Sequence, residues 1–208
     1  MNKKYLSEQE QFWVGEFGAQ YSNRNSGAEL IDGRVHLLSN ALKVVEKIET
    51  AIEFGANIGL NILALKSIFP EINLAAIEIN PEAVDQLLAI EKLDVYQGSV
   101  LEQHVTSPYD LVLAVGVLIH INPTYLPQVY ENIYTASRRY ILVAEYYSPN
   151  PVSISYRGYE NKLFKRDFAG DLLDKFSDLK LVDYGFCYRR DPNVALDDIT
   201  WFLIEKTT

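Results

Sequence analysis

From about residue 48 onward, short apolar runs alternate with stretches that carry apolar residues at helical spacing. The first five runs are rich in Ile, Val or Leu, which is typical of strands buried on both faces of a sheet. Strands that alternate with helices predict βαβ units and a mostly parallel sheet. The seven predicted strands are Thr50–Phe54, Leu74–Ile79, Asp94–Gln97, Asp110–Val115, Arg139–Glu145, Lys180–Tyr188 and Ile199–Glu205.

Three segments between these strands predict helices. Asn80-Pro81-Glu82 offers a capping side chain, a proline for the first turn and an acid that faces the positive helix end. Apolar residues at helical spacing mark a second helix at Leu126, Val129, Tyr130, Ile133 and Tyr134, and a third at Phe164, Phe168, Leu172 and Phe176.

The two ends of the chain complete the predicted architecture. Arg189–Asp198 separates the last two strands and is too short and polar for a crossover helix, so that pair is predicted to be antiparallel. We expect one α/β domain over 1–208, with a helical cap at 1–46 and a core at 47–208. The core is predicted as a seven-stranded, mostly parallel sheet with an antiparallel last strand and helices on both faces.

Composition and charge narrow the function classes. The 208 residues include 28 acidic and 19 basic side chains, with a formal net charge of -9. Affinity for a phosphate backbone comes largely from neutralising its charge, so nucleic-acid binding is not expected. The single Cys187 excludes an intramolecular disulfide and a cysteine-cluster zinc site, and no metal site is predicted. We expect a soluble cytoplasmic protein, because neither a secretory signal nor a membrane-spanning apolar run is found.

The loop after the first strand carries the main chemical signal. Glu53–Asn61 follows that strand and opens a helix, where ligands of open α/β sheets bind and where glycines let the backbone approach a ligand. Glu78 ends the second strand, at a place where a carboxylate can accept hydrogen bonds from both ribose hydroxyls. A dinucleotide loop needs three glycines, and an acid beside the pyrophosphate would be repelled. Two glycines and Glu53 therefore favour S-adenosylmethionine over NAD, the alternative being glycines that only turn the chain.

Two sets of segments carry a resemblance to known families. Glu53–Asn61, Ile77–Pro81, Gln97–Ser99 and Tyr109–Val112 resemble the motifs of Rossmann-like S-adenosylmethionine-dependent methyltransferases. Closer still, Phe12–Gly18, Gly116–Pro123, Glu145–Tyr147 and Leu163–Gly170 resemble the pseudaminic-acid-biosynthesis-associated methylases. The resemblance runs from about residue 11 to 205. It implies a methyltransferase sheet, S-adenosylmethionine as the cofactor and a small-molecule acceptor.

The resemblance also implies a set of cofactor-binding residues. The glycine loop would line the methionine moiety, Glu78 would bind the ribose, and the segment after the third strand would lie at the adenine edge. Many relatives have Asp where Ser99 stands and Gly where Asn57 stands, and Asn tolerates a left-handed backbone better than most residues. The implied set is Trp13, Tyr21, Arg24, Glu53, Gly55, Asn57, Gly59, Glu78, Ile79, Ser99, Val100 and Val115.

Within that set, the N-terminal residues would close over the cofactor. Tyr21 and Arg24 resemble a pair that does so in many such enzymes, with Arg24 on the methionine carboxylate. Tyr21 or Trp13 would face the sulfonium. The alternative for Trp13 is an ordinary anchor between the cap and the core.

Acceptor-site residues are predicted at the carboxyl ends of the fourth and fifth strands. Methyl transfer requires a positioned nucleophile, exclusion of water and acceptance of a proton where the nucleophile starts protonated. His120 lies beyond strand four and is a candidate base or orienting group, the alternative being a histidine whose hydrogen bonds are satisfied within the protein. Glu145 ends strand five, as a ligand for a substrate amine or as a partner for a nearby arginine.

The stretch from Pro149 to Gly170 is predicted to be a loop that binds the acceptor. Its basic cluster suits a carboxylate or phosphate on a small substrate, and its tyrosines suit a sugar. The alternative is a solvated helix start whose charges are balanced by neighbouring acids. The predicted acceptor-binding residues are Tyr147, Tyr156, Arg157, Lys165 and Arg166.

These observations leave several functions open. The leading hypothesis is a methyltransferase for a small acidic molecule, and the resemblance implies N- or O-methylation of an amino sugar such as a nonulosonic acid or its precursor. The alternatives are methylation of an unrelated acidic metabolite, a non-catalytic S-adenosylmethionine-binding module, and an NAD-dependent oxidoreductase. The sequence does not define the oligomeric state.

Overall fold

A seven-stranded sheet forms the centre of the computed structural model, which describes residues 5–24, 27–102, 104–192, 194 and 196–207. Its strands are β1 Thr50–Phe54, β2 Asn73–Glu78, β3 Leu93–Gln97, β4 Tyr109–Val115, β5 Ser137–Glu145, β8 Leu179–Cys187 and β9 Ile199–Lys206. Across the sheet they lie in the order β3-β2-β1-β4-β5-β9-β8.

The direction of the strands agrees with the sequence pattern. Strands β1 to β5 pair in parallel, whereas β9 is antiparallel to both β5 and β8 and lies between them. The predicted α/β fold with an antiparallel last strand is therefore confirmed. β3 was predicted to be buried on both faces, and this is wrong: β3 pairs only with β2, at an edge of the sheet, and its side chains are partly exposed.

Helices cover both faces of the sheet. These helices are α1 Glu8–Val14, α2 Glu16–Arg24, α3 Ala28–Ala41, α4 Leu60–Ile68, α5 Pro81–Leu88, α6 Leu126–Ala136 and α7 Phe168–Lys175. Helices α3 and α4 bury side chains such as Leu37, Leu38 and Ile62 against one face, and α6 and α7 bury Val129 and Leu172 against the other. Among the described residues, no helix is both long and apolar enough to cross a bilayer.

The segment predicted as a binding loop and a helix start forms a β-hairpin. Strands β6 (Val152–Tyr156) and β7 (Tyr159–Lys165) pair antiparallel in a separate two-stranded sheet. Phe164, predicted on a helix face, lies in β7 opposite Ser153. Helix α7 begins only after Asp167, whose side chain accepts a hydrogen bond from the backbone N–H of Gly170 at 2.8 Å. The fourfold spacing of Phe164 therefore does not reflect a helix.

Two glycines with the same left-handed backbone allow the effects of backbone strain and of side-chain packing on stability to be measured separately. Gly59 has φ +84° and Gly158 has φ +85°. A Cβ at Gly59 would lie 2.8 Å from side-chain atoms of both Leu87 and Ile90, whereas none of the described atoms lies within 4 Å of a Cβ at Gly158.

We predict that Gly158→Ala lowers the free energy of unfolding by about 1 kcal/mol through backbone strain alone. Gly59→Ala should cost roughly 1–3 kcal/mol more, because overpacking is added to the same strain. Urea unfolding of both variants measures the difference, and equal losses would show that the contacts around Gly59 relax freely.

Candidate functional site

A cavity of about 420 Å³ opens at the carboxyl ends of β1, β2, β4 and β5. Helices α1 and α2 contribute Trp13 and Tyr21 to its wall, and the β6–β7 hairpin contributes Tyr156 and Arg157. The strand order reverses between β1 and β4, which is where ligands of open α/β sheets bind. The cavity is therefore the candidate functional site.

The glycine loop forms the floor of the cavity beside β1. The backbone N–H groups of Gly55 and Ala56 donate to the carbonyl of Ile77, at 2.9 and 3.1 Å, which anchors the loop to β2. Asn57 adopts a left-handed backbone with φ 49°, which Asn tolerates better than most residues. The hydroxyl of Ser22 on α2 donates to the side-chain oxygen of Asn57, so the cap contacts the loop directly.

Glu53 is a buried carboxyl group with one satisfied oxygen. Its Oε1 accepts a hydrogen bond from the amide of Asn61 at 2.6 Å, while Oε2 has no partner within the described residues. Burial raises the pKa of Glu53 to about 8, with the hydrogen bond from Asn61 and the charge of Arg34 acting in the opposite direction. Asn61 Oδ1 is likewise buried and unpartnered in the described structure. A cationic ligand with N–H donors would satisfy both atoms.

Glu78 joins the ends of β1 and β2. Its Oε2 accepts from the backbone N–H of Asn57 and its Oε1 from that of Asn80, both at 2.7 Å. Burial raises the pKa of Glu78, and these backbone hydrogen bonds oppose the rise. Each carboxylate oxygen can accept a further hydrogen bond, so two hydroxyl groups of a ligand could bind here.

The predicted adenine-edge residues also line the cavity. Ile79, Ser99, Val100 and Val115 all contribute to its wall. The Ser99 hydroxyl accepts a hydrogen bond from the backbone N–H of Leu101 at 3.1 Å. That hydroxyl can still donate to a ligand.

His120 lies against two aromatic rings on the side of the cavity next to β4. Its ring centroid is 4.5 Å from that of Trp13 and 5.1 Å from that of Tyr156. Nδ1 lies 2.7 Å from the carbonyl oxygen of Lys162, which can only accept, so Nδ1 carries the proton. Burial lowers the pKa of His120 to about 4, which makes the ring neutral near neutral pH. Nε2 is therefore a hydrogen-bond acceptor.

Glu145 is the buried acid at the end of β5. Its Oε1 accepts hydrogen bonds from the backbone N–H groups of Val117 and Leu118, at 2.9 and 2.7 Å. Its Oε2 is buried and unpartnered among the described residues, and burial raises the pKa of Glu145 to about 8. Leu118 begins a short 3₁₀ turn that ends at His120, so Glu145 also holds the segment that carries His120.

Most of the predicted site residues line this one cavity. Of the cofactor set, these are Trp13, Tyr21, Glu53, Gly55, Asn57, Glu78, Ile79, Ser99, Val100 and Val115. His120, Glu145, Tyr156 and Arg157 of the catalytic and acceptor sets line it as well.

Two predicted cofactor residues lie outside the cavity wall. The Arg24 guanidinium lies over the ring of Phe17, with its Cζ 5.7 Å from the ring centroid. Gly59 precedes α4 and packs against Leu87 and Ile90, so its role in the structure is to turn the loop into the helix.

Three predicted acceptor residues also lie outside the wall. Tyr147 is 41% exposed and lies next to Phe202. Lys165 lies over the ring of Tyr146, and Arg166 pairs with Asp171 at 2.7 Å. The ion pair of Arg166 matches the alternative in which neighbouring acids balance the basic cluster.

Sequence reasoning missed several residues of the wall, among them Arg34, Asn61, Tyr146 and Asp197. The hydroxyl of Tyr146 donates a hydrogen bond to Oδ2 of Asp197 at 2.7 Å. Asn61 stood inside the recognised loop segment, and its position eight residues after Glu53 was an available signal. No signal in the local sequence marked Arg34, because only tertiary packing brings this residue of α3 to the same cavity as Glu53 of β1.

Comparison with known proteins places the fold but not the family. No family model matches the chain, and no curated protein matches it in sequence. One similar solved structure is Burkholderia thailandensis 1,6-didemethyltoxoflavin-N1-methyltransferase with bound 1,6-didemethyltoxoflavin and S-adenosylhomocysteine. Its TM-score is 0.70 at 14% identity, covering 100% of this chain and 94% of that chain.

Two further solved structures have the same fold. Human N-acetylserotonin methyltransferase in complex with S-adenosylmethionine has a TM-score of 0.69 at 18% identity, covering 99% of this chain and 61% of that one. An N-methyltransferase from Bradyrhizobium japonicum has a TM-score of 0.63 at 12% identity, covering 84% of this chain and 94% of that one. The chain therefore has a Rossmann-like α/β fold, and specifically the fold of S-adenosylmethionine-dependent methyltransferases.

The raised pKa of the buried Glu53 predicts how the stability of the protein depends on pH. A carboxyl group whose pKa rises from 4.5 to about 8 on folding binds more protons in the folded state between these values. Its stabilising contribution is complete below about pH 4.5 and is lost as the pH rises towards 8. We predict that ligand-free Glu53→Gln unfolds at higher urea concentration than the unaltered protein at about pH 8, and that this gain shrinks towards about pH 5. An unchanged pH slope in the variant would contradict the assignment, with Glu71→Gln on the surface as the control.

Proposed function

We propose that this protein is an S-adenosylmethionine-dependent methyltransferase that acts on a small molecule. The observation that carries the proposal is the buried Glu53, whose unpartnered Oε2 stands beside the glycine loop of a methyltransferase-type fold. A dinucleotide pyrophosphate would be repelled by this carboxyl group, whereas the ammonium of a methionine moiety would satisfy it. The neighbouring structures that contain S-adenosylmethionine or its product support the same cofactor.

The residues of the cavity fit the parts of this cofactor. Glu53 and Asn61 would accept the ammonium, Arg34 would bind the carboxylate, and Glu78 would bind the ribose hydroxyls. When bound, S-adenosylmethionine supplies a methyl group already activated on a sulfonium. The chain then has to position a nucleophile, exclude water and accept a proton where necessary.

The proposed acceptor is a small molecule with an anionic group. Arg157 lines the cavity at the turn of the hairpin, where its guanidinium could bind a carboxylate in a bidentate fork, with Tyr156 beside it. An acidic amino sugar such as a nonulosonic acid or its precursor fits this arrangement, and the resemblance to the pseudaminic-acid-associated methylases supports it. The proposed catalytic groups are His120 and Glu145, which line the same cavity, and the ring of His120 lies beside that of Tyr156.

Turnover separates this function from its alternatives. Formation of S-adenosylhomocysteine that depends on an added small acidic metabolite supports the methyltransferase. A non-catalytic binding module would bind S-adenosylmethionine without acceptor-dependent turnover, and an NAD-dependent oxidoreductase would be stabilised against heat by NAD instead.

The position of Arg34 makes a prediction about cofactor affinity. We predict that Arg34→Ala weakens S-adenosylhomocysteine binding about ten- to hundredfold, since a hydrogen bond to a charged group contributes roughly 1.5–3 kcal/mol. Arg24→Ala removes the same charge from a guanidinium outside the cavity wall and should leave the affinity nearly unchanged. Calorimetric titration measures both, and the reverse ranking would restore Arg24 to the carboxylate.

If the acceptor carries an anionic group, substitution of Arg157 should change the KM for the acceptor. We predict that Arg157→Ala raises the acceptor KM about ten- to hundredfold without weakening the binding of S-adenosylhomocysteine. Arg157→Lys should recover only part of the loss, because an ammonium cannot form the bidentate fork. Lys165→Ala is the comparison, since Lys165 lies over Tyr146 outside the wall. Normal acceptor kinetics in Arg157→Ala would contradict an anion site at the turn.

A further inference from the structure

Two buried carboxyl groups of the cavity have an unpartnered oxygen, and one cation cannot serve both. Glu53 lies on β1 and Glu145 on β5, with β4 between them, so the two strands are about 10 Å apart. The groups also belong to opposite faces. Residues two apart on a strand share a face. Glu53 therefore lies on the face of Ala51, which packs under α3 and α4, and Glu145 lies on the face of Val143, which packs under α6 and α7.

A methionine ammonium at Glu53 therefore leaves Glu145 without a partner. Glu145 is 3% exposed, its Oε1 is already held by two backbone N–H groups, and its Oε2 is buried within the cavity wall. A buried carboxyl group with an unpartnered oxygen costs free energy that a bound hydrogen-bond donor would recover. A group of the acceptor is the candidate partner for this second oxygen.

The charge of the wall favours a cation at that position. Among the described residues of the wall there are five carboxyl groups and two guanidinium groups. The cofactor would add only one net positive charge, so with the five carboxyl groups ionised the wall would remain acidic around a second ligand. The acids are Glu10, Glu53, Glu78, Glu145 and Asp197, and the bases are Arg34 and Arg157.

We propose that the acceptor reacts through an amine, which enters as an ammonium, binds Glu145 Oε2 and loses its proton to that oxygen. The inference rests on the proposed methyltransferase function and selects N-methylation over O-methylation. Together with Arg157, it describes an acceptor that carries both an amine and an anionic group.

The reaction balances with the groups already named. The ammonium transfers one proton to Glu145, and the nitrogen lone pair forms the new N–C bond to the methyl group. The C–S bond breaks with its electron pair left on sulfur, giving S-adenosylhomocysteine and a methylated ammonium. The proton on Glu145 returns to solvent when the product leaves.

The neighbouring groups suit this division of roles. The raised pKa of Glu145, about 8, lies closer to that of an alkylammonium than an ordinary carboxyl does, which favours the transfer. His120, with its pKa lowered to about 4, is the weaker base. Its unprotonated Nε2 can instead accept a second N–H of the amine and orient the lone pair, so His120 is assigned an orienting role.

A binding experiment tests the ammonium site directly. The protein saturated with S-adenosylhomocysteine is titrated with methylammonium chloride, with sodium chloride at the same ionic strength as the reference, and its melting temperature is followed. We expect methylammonium to raise the melting temperature more than sodium does in the unaltered protein and in Glu160→Gln, an exposed acid of the hairpin. Glu145→Gln should lose this difference, while its retained Oε1 still accepts from Val117 and Leu118. Equal effects of the two salts, or an unchanged difference in Glu145→Gln, would overturn the inference.

Product analysis tests the chemistry. Sugar acids are offered in pairs that differ only in an amino or a hydroxyl group, such as glucosaminic and gluconic acid, together with methyl-labelled S-adenosylmethionine and a small-metabolite extract. We expect label on nitrogen, and a drop in kcat/KM of about ten- to hundredfold in Glu145→Gln with unchanged affinity for S-adenosylhomocysteine. Label on oxygen would overturn N-methylation and leave the proposed function standing. A failure to bind S-adenosylhomocysteine would overturn the proposed function itself.

Discussion

The carboxylate of Glu78 ties together the parts on which the cavity depends. Its two oxygens hold the backbone of Asn57 in the glycine loop and of Asn80 before α5. Asn80 in turn caps α5 through its side-chain oxygen and donates from its amide to the carbonyl of Trp13 at 2.9 Å. One buried charge at the end of β2 thus fixes the loop, the start of a helix and the cap relative to the sheet. Because such a charge must be satisfied from all sides, the surrounding backbone has little freedom to rearrange.

The cavity built on this junction is chemically divided by the sheet. On the side of α3 and α4, Glu53, Asn61 and Arg34 line the cavity and would present complementary charges and hydrogen-bonding groups to the proposed methionine moiety. On the side of α6 and α7, Glu145 presents a buried carboxyl oxygen without a partner in the described structure, and His120 presents an unprotonated ring nitrogen. Burial sets the proton affinity of all three titratable groups, raising it for the acids and lowering it for the histidine.

The features that could be predicted from the sequence are those marked by a local pattern or by their position at the end of a strand. The central strands, the capped start of α5 and the acids at the ends of β1, β2 and β5 could be located, because apolar runs and turn residues mark them directly. The hairpin was missed because the spacing of Phe164 and Phe168 imitates a helix face across the boundary between β7 and α7. Arg34 was missed for a different reason: its place depends on how α3 packs on the sheet, and Arg24 lay nearer the recognised motif. Whether Arg24 or Arg34 binds a carboxylate is a matter of tertiary packing that spacing does not encode.

The separate pairing of the hairpin has a consequence for how this molecule can diversify. Strands β6 and β7 bond to each other in their own two-stranded sheet, inserted between β5 and α7, whereas the glycine loop is bonded to a strand of the central sheet. Substitutions or length changes near the turn at Arg157 and Gly158 can therefore remodel the proposed acceptor side of the cavity while the central sheet keeps its register. Selection could retune acceptor preference there at little cost to folding, and relatives that share the cofactor half would be expected to differ most in this hairpin.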